Sequence, residues 1–144
     1  VNGLVGSEMC IRDSINAGHE SILSFDQNKN YEYIKSEMPP IGIVKYFSES
    51  MVKSNTINIK DKTLVVYTDG VTEGYLENGE ELGAEGVQKI INKISEVTPK
   101  NIVDSIEKEL NWGADKLRDD ITCMAINIEN TDLIKKKQNK IPEK

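Results

Sequence analysis

The chain has 144 residues, of which 38% are hydrophobic and 29% charged, and its formal net charge is −6. These values are typical of one soluble domain and exclude fibrous and disulfide-scaffold proteins. No apolar run approaches the roughly 18 residues that a membrane-spanning helix needs, so no membrane contact is expected. Residues 133–144 carry five lysines against one glutamate, which makes this tail +4 and the rest of the chain −10. Because so acidic a body repels phosphates, nucleic acid is not an expected partner.

The first fourteen residues show no periodicity. Val1 to Ser14 lack both strand alternation and a helical stripe, and they do not have the order of a secretory signal. The string from Gly6 to Ser14 is similar to translated sequencing-adapter read-through. We therefore leave residues 1–14 unassigned and interpret them as an artefact, which the upstream genomic sequence would test.

Short β-rich runs broken by turn residues follow. Residues 22–25 and 31–34 flank a polar turn and predict a hairpin. Pro39 and Pro40 predict a connecting loop, because proline lacks the N–H donor that a central strand needs.

Two further strands are predicted at about 50–59 and 63–68, on either side of a Lys-Asp-Lys turn. The second contains the continuous apolar run Leu64-Val65-Val66, which is typical of a strand covered on both faces.

The second half of the chain changes to a helical period. A helix is predicted from about 84 to 96, with its apolar stripe at Val87, Ile90, Ile91, Ile94 and Val97. Thr98 and Pro99 predict the capped start of a second helix. A last strand is expected at about 121–128, and residues 129–144 read as a basic disordered tail.

The order of the elements predicts the fold class. Several strands, two adjacent helices and a closing strand, without alternation of strand and helix, indicate an α+β fold with helices gathered on one side of a sheet. The domain is expected to span residues 15–128.

Two acidic turns stand out as candidate chemistry. Residues 67–70 (Tyr-Thr-Asp-Gly) and 118–122 (Arg-Asp-Asp-Ile-Thr) each place carboxylates at the edge of an apolar strand. Grouped carboxylates without His or Cys are hard oxygen ligands of the type that Mg²⁺ and Mn²⁺ accept. Plain turn chemistry is the alternative, since Asp-Gly is also a strong hairpin signal. The turns lie about 50 residues apart, so spacing alone does not bring them together.

Four motifs follow one another along the chain, at residues 16–19 (Asn-Ala-Gly-His), 40–43 (Pro-Ile-Gly-Ile), 64–73 (Leu-Val-Val-Tyr-Thr-Asp-Gly-Val-Thr-Glu) and 119–122 (Asp-Asp-Ile-Thr). In this order they resemble the metal-dependent PPM-type serine/threonine protein phosphatases, specifically the bacterial SpoIIE-like subgroup. The resemblance implies a sandwich of two antiparallel β-sheets flanked by helices, here N-terminally truncated.

The resemblance also implies the site. Asp69 and Asp119 match metal-ligating aspartates of the family, Asp120 occupies the neighbouring supporting position, and Gly70 would let the backbone approach the site closely. The cofactor would be Mg²⁺ or Mn²⁺, binuclear in a complete domain. A metal-activated water would attack the phosphorus of a phosphoserine or phosphothreonine on a protein, and no catalytic residue beyond the metal ligands is assigned.

One departure from the family pattern concerns the remaining ligands. The family's early acidic residue and its Asp-x-x-Gly-His-Gly segment, which supplies the bridging carboxylate, should precede Asn16, and nothing in residues 1–14 matches them. We therefore expect the parent protein to be a phosphatase and this 144-residue fragment to be inactive.

The resemblance implies a phosphoprotein substrate as partner, commonly an anti-sigma-factor antagonist in bacterial partner switching. It also implies a cytoplasmic phosphatase domain, with any membrane anchor of the full-length protein lying upstream. The alternative is a non-catalytic, phosphatase-like module that only binds a partner. His19, the single histidine, is expected to make structural hydrogen bonds rather than to act as a general acid.

Overall fold

The computed structural model describes residues 11–110 and 119–127. The expected basic tail, residues 129–144, lies outside this part of the chain. The elements in the described part are β1 (Ile11–Ser14), β2 (Ile22–Asp26), β3 (Tyr31–Ile34), β4 (Asn55–Asn58), β5 (Lys62–Tyr67), α1 (Asp69–Thr72), α2 (Gly83–Lys93), α3 (Pro99–Glu109) and β6 (Cys123–Asn127).

Four strands form an antiparallel sheet in the order β3-β2-β5-β6. The predicted hairpin is confirmed as the β2–β3 pair. Its turn is held by Asp26, whose Oδ1 accepts the backbone N–H groups of Asn28 at 2.8 Å and Asn30 at 2.9 Å. The hydrogen bond from the Asn30 side chain, followed by the backbone ones, lowers the pKa of Asp26 below its ordinary value. The turn residues therefore fix the register of the hairpin.

The second sheet consists of β1 and β4, also antiparallel. The strand predicted at 50–59 is shorter than expected: a 3₁₀ turn occupies Glu49–Met51, and β4 forms only at Asn55–Asn58. Although β4 and β5 follow one another across Asp61, which adopts a φ of 56°, they belong to different sheets. Residues 1–14 show no periodicity and are unassigned from the sequence alone, yet β1 (Ile11–Ser14) forms at their end by pairing with β4 residues more than 40 positions away. The interpretation of residues 1–14 as an artefact stays a prediction.

The two predicted helices are confirmed and pack on one face of the four-stranded sheet. The Thr98 hydroxyl accepts the Asn101 N–H at 3.2 Å and caps α3, as its sequence predicts. α2 ends at Lys93, before the predicted end, because Ile94 adopts an extended conformation. The shared core comprises Leu23, Phe25, Val65, Tyr67, Val71, Leu82, Val87, Ile90, Ile91, Ile94, Val97, Ile102, Ile106 and Leu110.

The opposite face of the sheet is less covered. Along β5, Val65 is fully buried, whereas its neighbours Leu64 and Val66 are half-buried. Their partners across the ladder, Ile126 and Met124, are 41% and 50% exposed. The apolar run is thus covered on the helix side, as predicted, whereas the described residues cover its opposite side only in part. The α+β class with two antiparallel sheets and flanking helices is confirmed.

Candidate metal centre

The two acidic turns predicted from the sequence meet at one end of the four-stranded sheet. β5 ends at Tyr67 and β6 begins at Cys123, and these two residues are register partners. Asp69 lies immediately beyond the end of β5, and Asp119 and Asp120 come just before β6. The antiparallel pairing therefore brings together two turns that lie about 50 residues apart in sequence and carry these carboxylates.

Thr68 joins the two turns. Its backbone N–H donates to the Thr122 carbonyl at 3.0 Å, which extends the β5–β6 ladder by one residue. Its hydroxyl donates to the Asp120 carbonyl at 3.0 Å and accepts the Thr122 N–H at 3.0 Å. One side chain thus satisfies two backbone groups of the opposite turn.

Gly70 allows the turns to approach each other closely. It is buried, and a Cβ atom at this position would lie 2.6 Å from the Asp120 carbonyl oxygen, well inside van der Waals contact. Since φ is not in the left-handed region here, space rather than backbone conformation requires glycine at this position.

The three carboxylates are exposed to solvent. Asp69 Oδ1 accepts the Gly70 N–H at 2.9 Å, and Asp119 Oδ1 accepts the Asp120 N–H at 2.7 Å. In the part of the chain that the structure describes, the second oxygen of each of these two carboxylates has no hydrogen-bond partner. Both side chains are thus held by local backbone contacts, and among the described residues nothing binds their second oxygen.

These donors fit part of a hard-cation site. Carboxylate oxygens are the ligands that Mg²⁺ and Mn²⁺ prefer, and Mg²⁺ is often held by one or two carboxylates together with waters. Among residues 11–110 and 119–127, no group of three or more His, Cys, Asp or Glu side chains is arranged to hold a metal. The roles of Asp69 and Asp119 as ligands, and of Asp120 as a supporting residue, stay predictions.

The two other motifs also contact each other. Gly18, with a φ of +78°, packs so tightly on Pro40 that a Cβ would lie 2.1 Å from the proline ring. The buried side chain of Asn16 accepts the His19 N–H at 3.0 Å and donates to the Glu20 carbonyl at 3.1 Å. His19 is exposed, and its Nδ1 lies 3.2 Å from the Glu20 carbonyl oxygen. The conformation of this loop is therefore set by the hydrogen bonds of Asn16 and by the packing of Gly18 on Pro40.

Sequence reasoning missed Thr68. It stands at the N-cap position of α1, where a threonine normally caps its own helix, yet its hydroxyl makes no such bond. Its partners lie 52 and 54 residues away, so no local pattern in the sequence could have assigned them.

The fold is that of PP2C-type phosphatase domains. The chain belongs to the SpoIIE family, whose model, described as stage II sporulation protein E, matches residues 12–129. It is similar in structure to the SiaA-PP2C domain of Pseudomonas aeruginosa (TM-score 0.61, 16% identity), with 84% of this chain and 47% of that chain covered. No curated protein matches the chain at a significant level.

Two further solved structures share the fold. The RsbU and RsbW domains of Rv1364c from Mycobacterium tuberculosis match with a TM-score of 0.55 and 20% identity over 81% of this chain and 32% of that one. The phosphatase domain of the cell fate determinant SpoIIE from Bacillus subtilis matches with a TM-score of 0.54 and 14% identity over 83% and 58%. The chain thus spans about half the length, or less, of the first two solved structures and less than two thirds of the third. None of the helices in the described ranges has the length and apolarity to cross a membrane.

Proposed function

We propose that the full-length protein carrying this chain is a metal-dependent phosphatase acting on phosphoserine or phosphothreonine in a protein. The observation that carries the proposal is the meeting of the two acidic turns, linked through Thr68, at one end of the sheet in a SpoIIE-family fold. The Asp69-Gly70 pair begins helix α1 and does not form a tight turn between paired strands. A role as a plain hairpin turn therefore does not account for the contact between the two acidic turns.

Asp69 and Asp119 would hold the cation, and Asp120 would support them through the backbone carbonyl that Thr68 binds. Mg²⁺ or Mn²⁺ would supply Lewis-acid chemistry there, neutralising phosphoryl charge and lowering the pKa of water so that hydroxide is available as the nucleophile. The chain's own part is to hold these exposed carboxylates in the two turns that adjoin the paired ends of β5 and β6.

The 144-residue chain by itself is proposed to be inactive. Its described residues bring together fewer acidic side chains than a binuclear site needs. The missing bridging carboxylate would come from a segment that precedes Asn16 in the parent protein, as the family resemblance implies.

For the substrate we propose a small phosphoprotein, an anti-sigma-factor antagonist. We propose that the phosphatase domain that acts on it is cytoplasmic. Membership of the SpoIIE family supports this, as does the structural neighbour in which an RsbU domain and an RsbW domain occur together. A phosphoserine peptide from such an antagonist is the substrate to test against an unrelated phosphopeptide.

The deciding experiment measures Mn²⁺-dependent release of phosphate from that phosphoserine peptide. In the full-length protein, Asp69→Asn and Asp119→Asn are expected to lower kcat/KM at least about 100-fold, and Asp120→Asn less than about tenfold. Asp61→Asn is the matched control, since it removes an exposed carboxylate from the β4–β5 turn in a backbone conformation that asparagine also adopts.

The alternative function, a phosphatase-like module that binds without turnover, predicts a different result. The full-length protein would then bind the phosphoprotein, release no phosphate with Mn²⁺ or Mg²⁺, and bind equally well after Asp69→Asn. Turnover by the 144-residue chain alone, abolished by Asp69→Asn, would overturn the proposal that the fragment is inactive.

A further inference from the structure

Thr68 has an unusual set of partners for its position. A Ser or Thr before a helix normally accepts a hydrogen bond from the N–H two or three residues later. The Thr68 side chain makes no bond of that kind with α1 and instead reaches across to the turn that precedes β6. The hydroxyl is thus used for tertiary contact rather than for helix initiation.

Within the described ranges, every hydrogen bond between residues 68–72 and residues 119–122 has Thr68 as a partner. In the same part of the chain, the carboxylates of Asp69 and Asp119 bind neighbouring backbone, Asp69 the Gly70 N–H and Asp119 the Asp120 N–H. Each of these two carboxylates is therefore oriented within its own turn, while the two turns are held to each other by the hydrogen bonds of Thr68 and by the packing of Gly70 on Asp120.

The hydroxyl acts on both turns at once. Thr68 is covalently joined to Asp69, and it binds the carbonyl of Asp120, the residue after Asp119. A shift of this contact would move the two carboxylates relative to one another even if each kept its local hydrogen bond. Cation affinity depends steeply on such offsets, because ligands must be held within about 0.5 Å of the required geometry.

We propose that Thr68 is a positioning residue, which sets the separation of Asp69 and Asp119 for cation binding through its hydroxyl. The cation part of this inference rests on the proposed function. The tie between the turns does not, because it consists of hydrogen bonds within the chain itself.

Two substitutions separate the hydroxyl from the shape of the side chain. Thr68→Val keeps the branched side chain and removes the hydroxyl, whereas Thr68→Ser keeps the hydroxyl. Thr56→Val is the matched control, since Thr56 also donates a hydroxyl across to another strand, to Asp13 at 2.9 Å in the β1–β4 sheet.

The first measurement is backbone amide hydrogen exchange at Thr122 in the 144-residue chain, which needs no activity. Loss of one hydrogen bond is expected to raise the exchange rate about five- to tenfold in Thr68→Val, and not in Thr68→Ser or Thr56→Val. An unchanged exchange rate in Thr68→Val would refute the claim that the Thr68 hydroxyl links the two turns. Urea midpoints of all variants show whether the effect is local.

The second measurement is the Mn²⁺ concentration for half-maximal phosphatase activity of the full-length protein. We expect Thr68→Val to raise it about tenfold, with rescue by Thr68→Ser. A purely structural role would lower activity at all Mn²⁺ concentrations alike, and that result, or failure of rescue, would overturn the positioning role. Absence of turnover in the unsubstituted protein would refute the proposed function instead, with the exchange result still standing.

Discussion

The α-carbon of Gly70 lies against the backbone carbonyl of Asp120, so that even one added methyl group would come within 2.6 Å of the carbonyl oxygen. The same methyl group would lie 3.1 Å from the carbonyl carbon. The contact is between backbone and backbone, which cannot move aside as the end of a flexible side chain can. The spacing of the two acidic turns thus depends on a glycine at this position.

Gly70→Ala is therefore expected to destabilise the chain by about 1 to 3 kcal/mol, the usual range for overpacking, even though alanine favours helices. Urea denaturation measures this change. Gly79→Asn is the control, because a Cβ at Gly79 meets nothing within 4 Å and asparagine tolerates its left-handed backbone. If Gly70→Ala were as stable as the unsubstituted chain, the turns would not be in contact.

The elements set by local periodicity could be predicted from the sequence. The apolar stripes of α2 and α3, the Thr98 cap and the β2–β3 hairpin each follow from residues within a few positions of one another. β1 could not be predicted, because its four residues have no alternation and pair with β4 more than 40 positions away. The separation of β4 and β5 into different sheets is likewise a matter of tertiary pairing.

The candidate site divides in the same way. The carboxylates of Asp69 and Asp119 are identifiable from residue type, position and family resemblance. Their proximity depends on the pairing of β5 with β6, and the tie through Thr68 depends on a hydroxyl that a local reading would assign to capping. Long-range hydrogen bonds of this kind leave no signature in a single sequence.

A pair of neighbouring valines tests which face of β5 the helices cover. Val65 is fully buried in the core shared with α2 and α3, whereas Val66 points to the less covered face. In the 144-residue chain, Val65→Ala is expected to cost about 2 to 3 kcal/mol and Val66→Ala less than about 1 kcal/mol, as measured by urea denaturation. The reverse order would indicate a register shifted by one residue, since such a shift exchanges the two faces.

Cys123 is expected to be a poorly reactive thiol. Burial in the closing strand raises its pKa to about 11, so little thiolate exists near neutral pH. In a Cys10→Ser background at pH 8, the reaction of Cys123 with a disulfide reagent should be about 100-fold slower than that of an ordinary cysteine, because the reactive thiolate is scarcer by that factor. Addition of 8 M urea serves as the control and should restore the ordinary rate. Rapid reaction of the folded chain would show that the strand exposes the thiol.

Tyr67 makes the stability of the chain sensitive to alkali. The side chain is 2% exposed, its hydroxyl has no hydrogen-bond partner in the described part of the chain, and burial is the main cause that raises its pKa to about 12. In the unfolded chain Tyr67 ionises near its ordinary pKa of 10, whereas in the folded chain it does not, so stability is retained below pH 10 and lost as the pH rises towards 12.

Between pH 9 and pH 11 the unsubstituted chain should lose roughly 1 kcal/mol more stability than Tyr67→Phe, as measured by urea midpoints at each pH. At pH 7, Tyr67→Phe should be as stable or more stable, because it removes a buried hydroxyl that lacks a partner. Tyr46→Phe, at a ring 80% exposed, is the control, and parallel pH curves for all three chains would contradict the prediction.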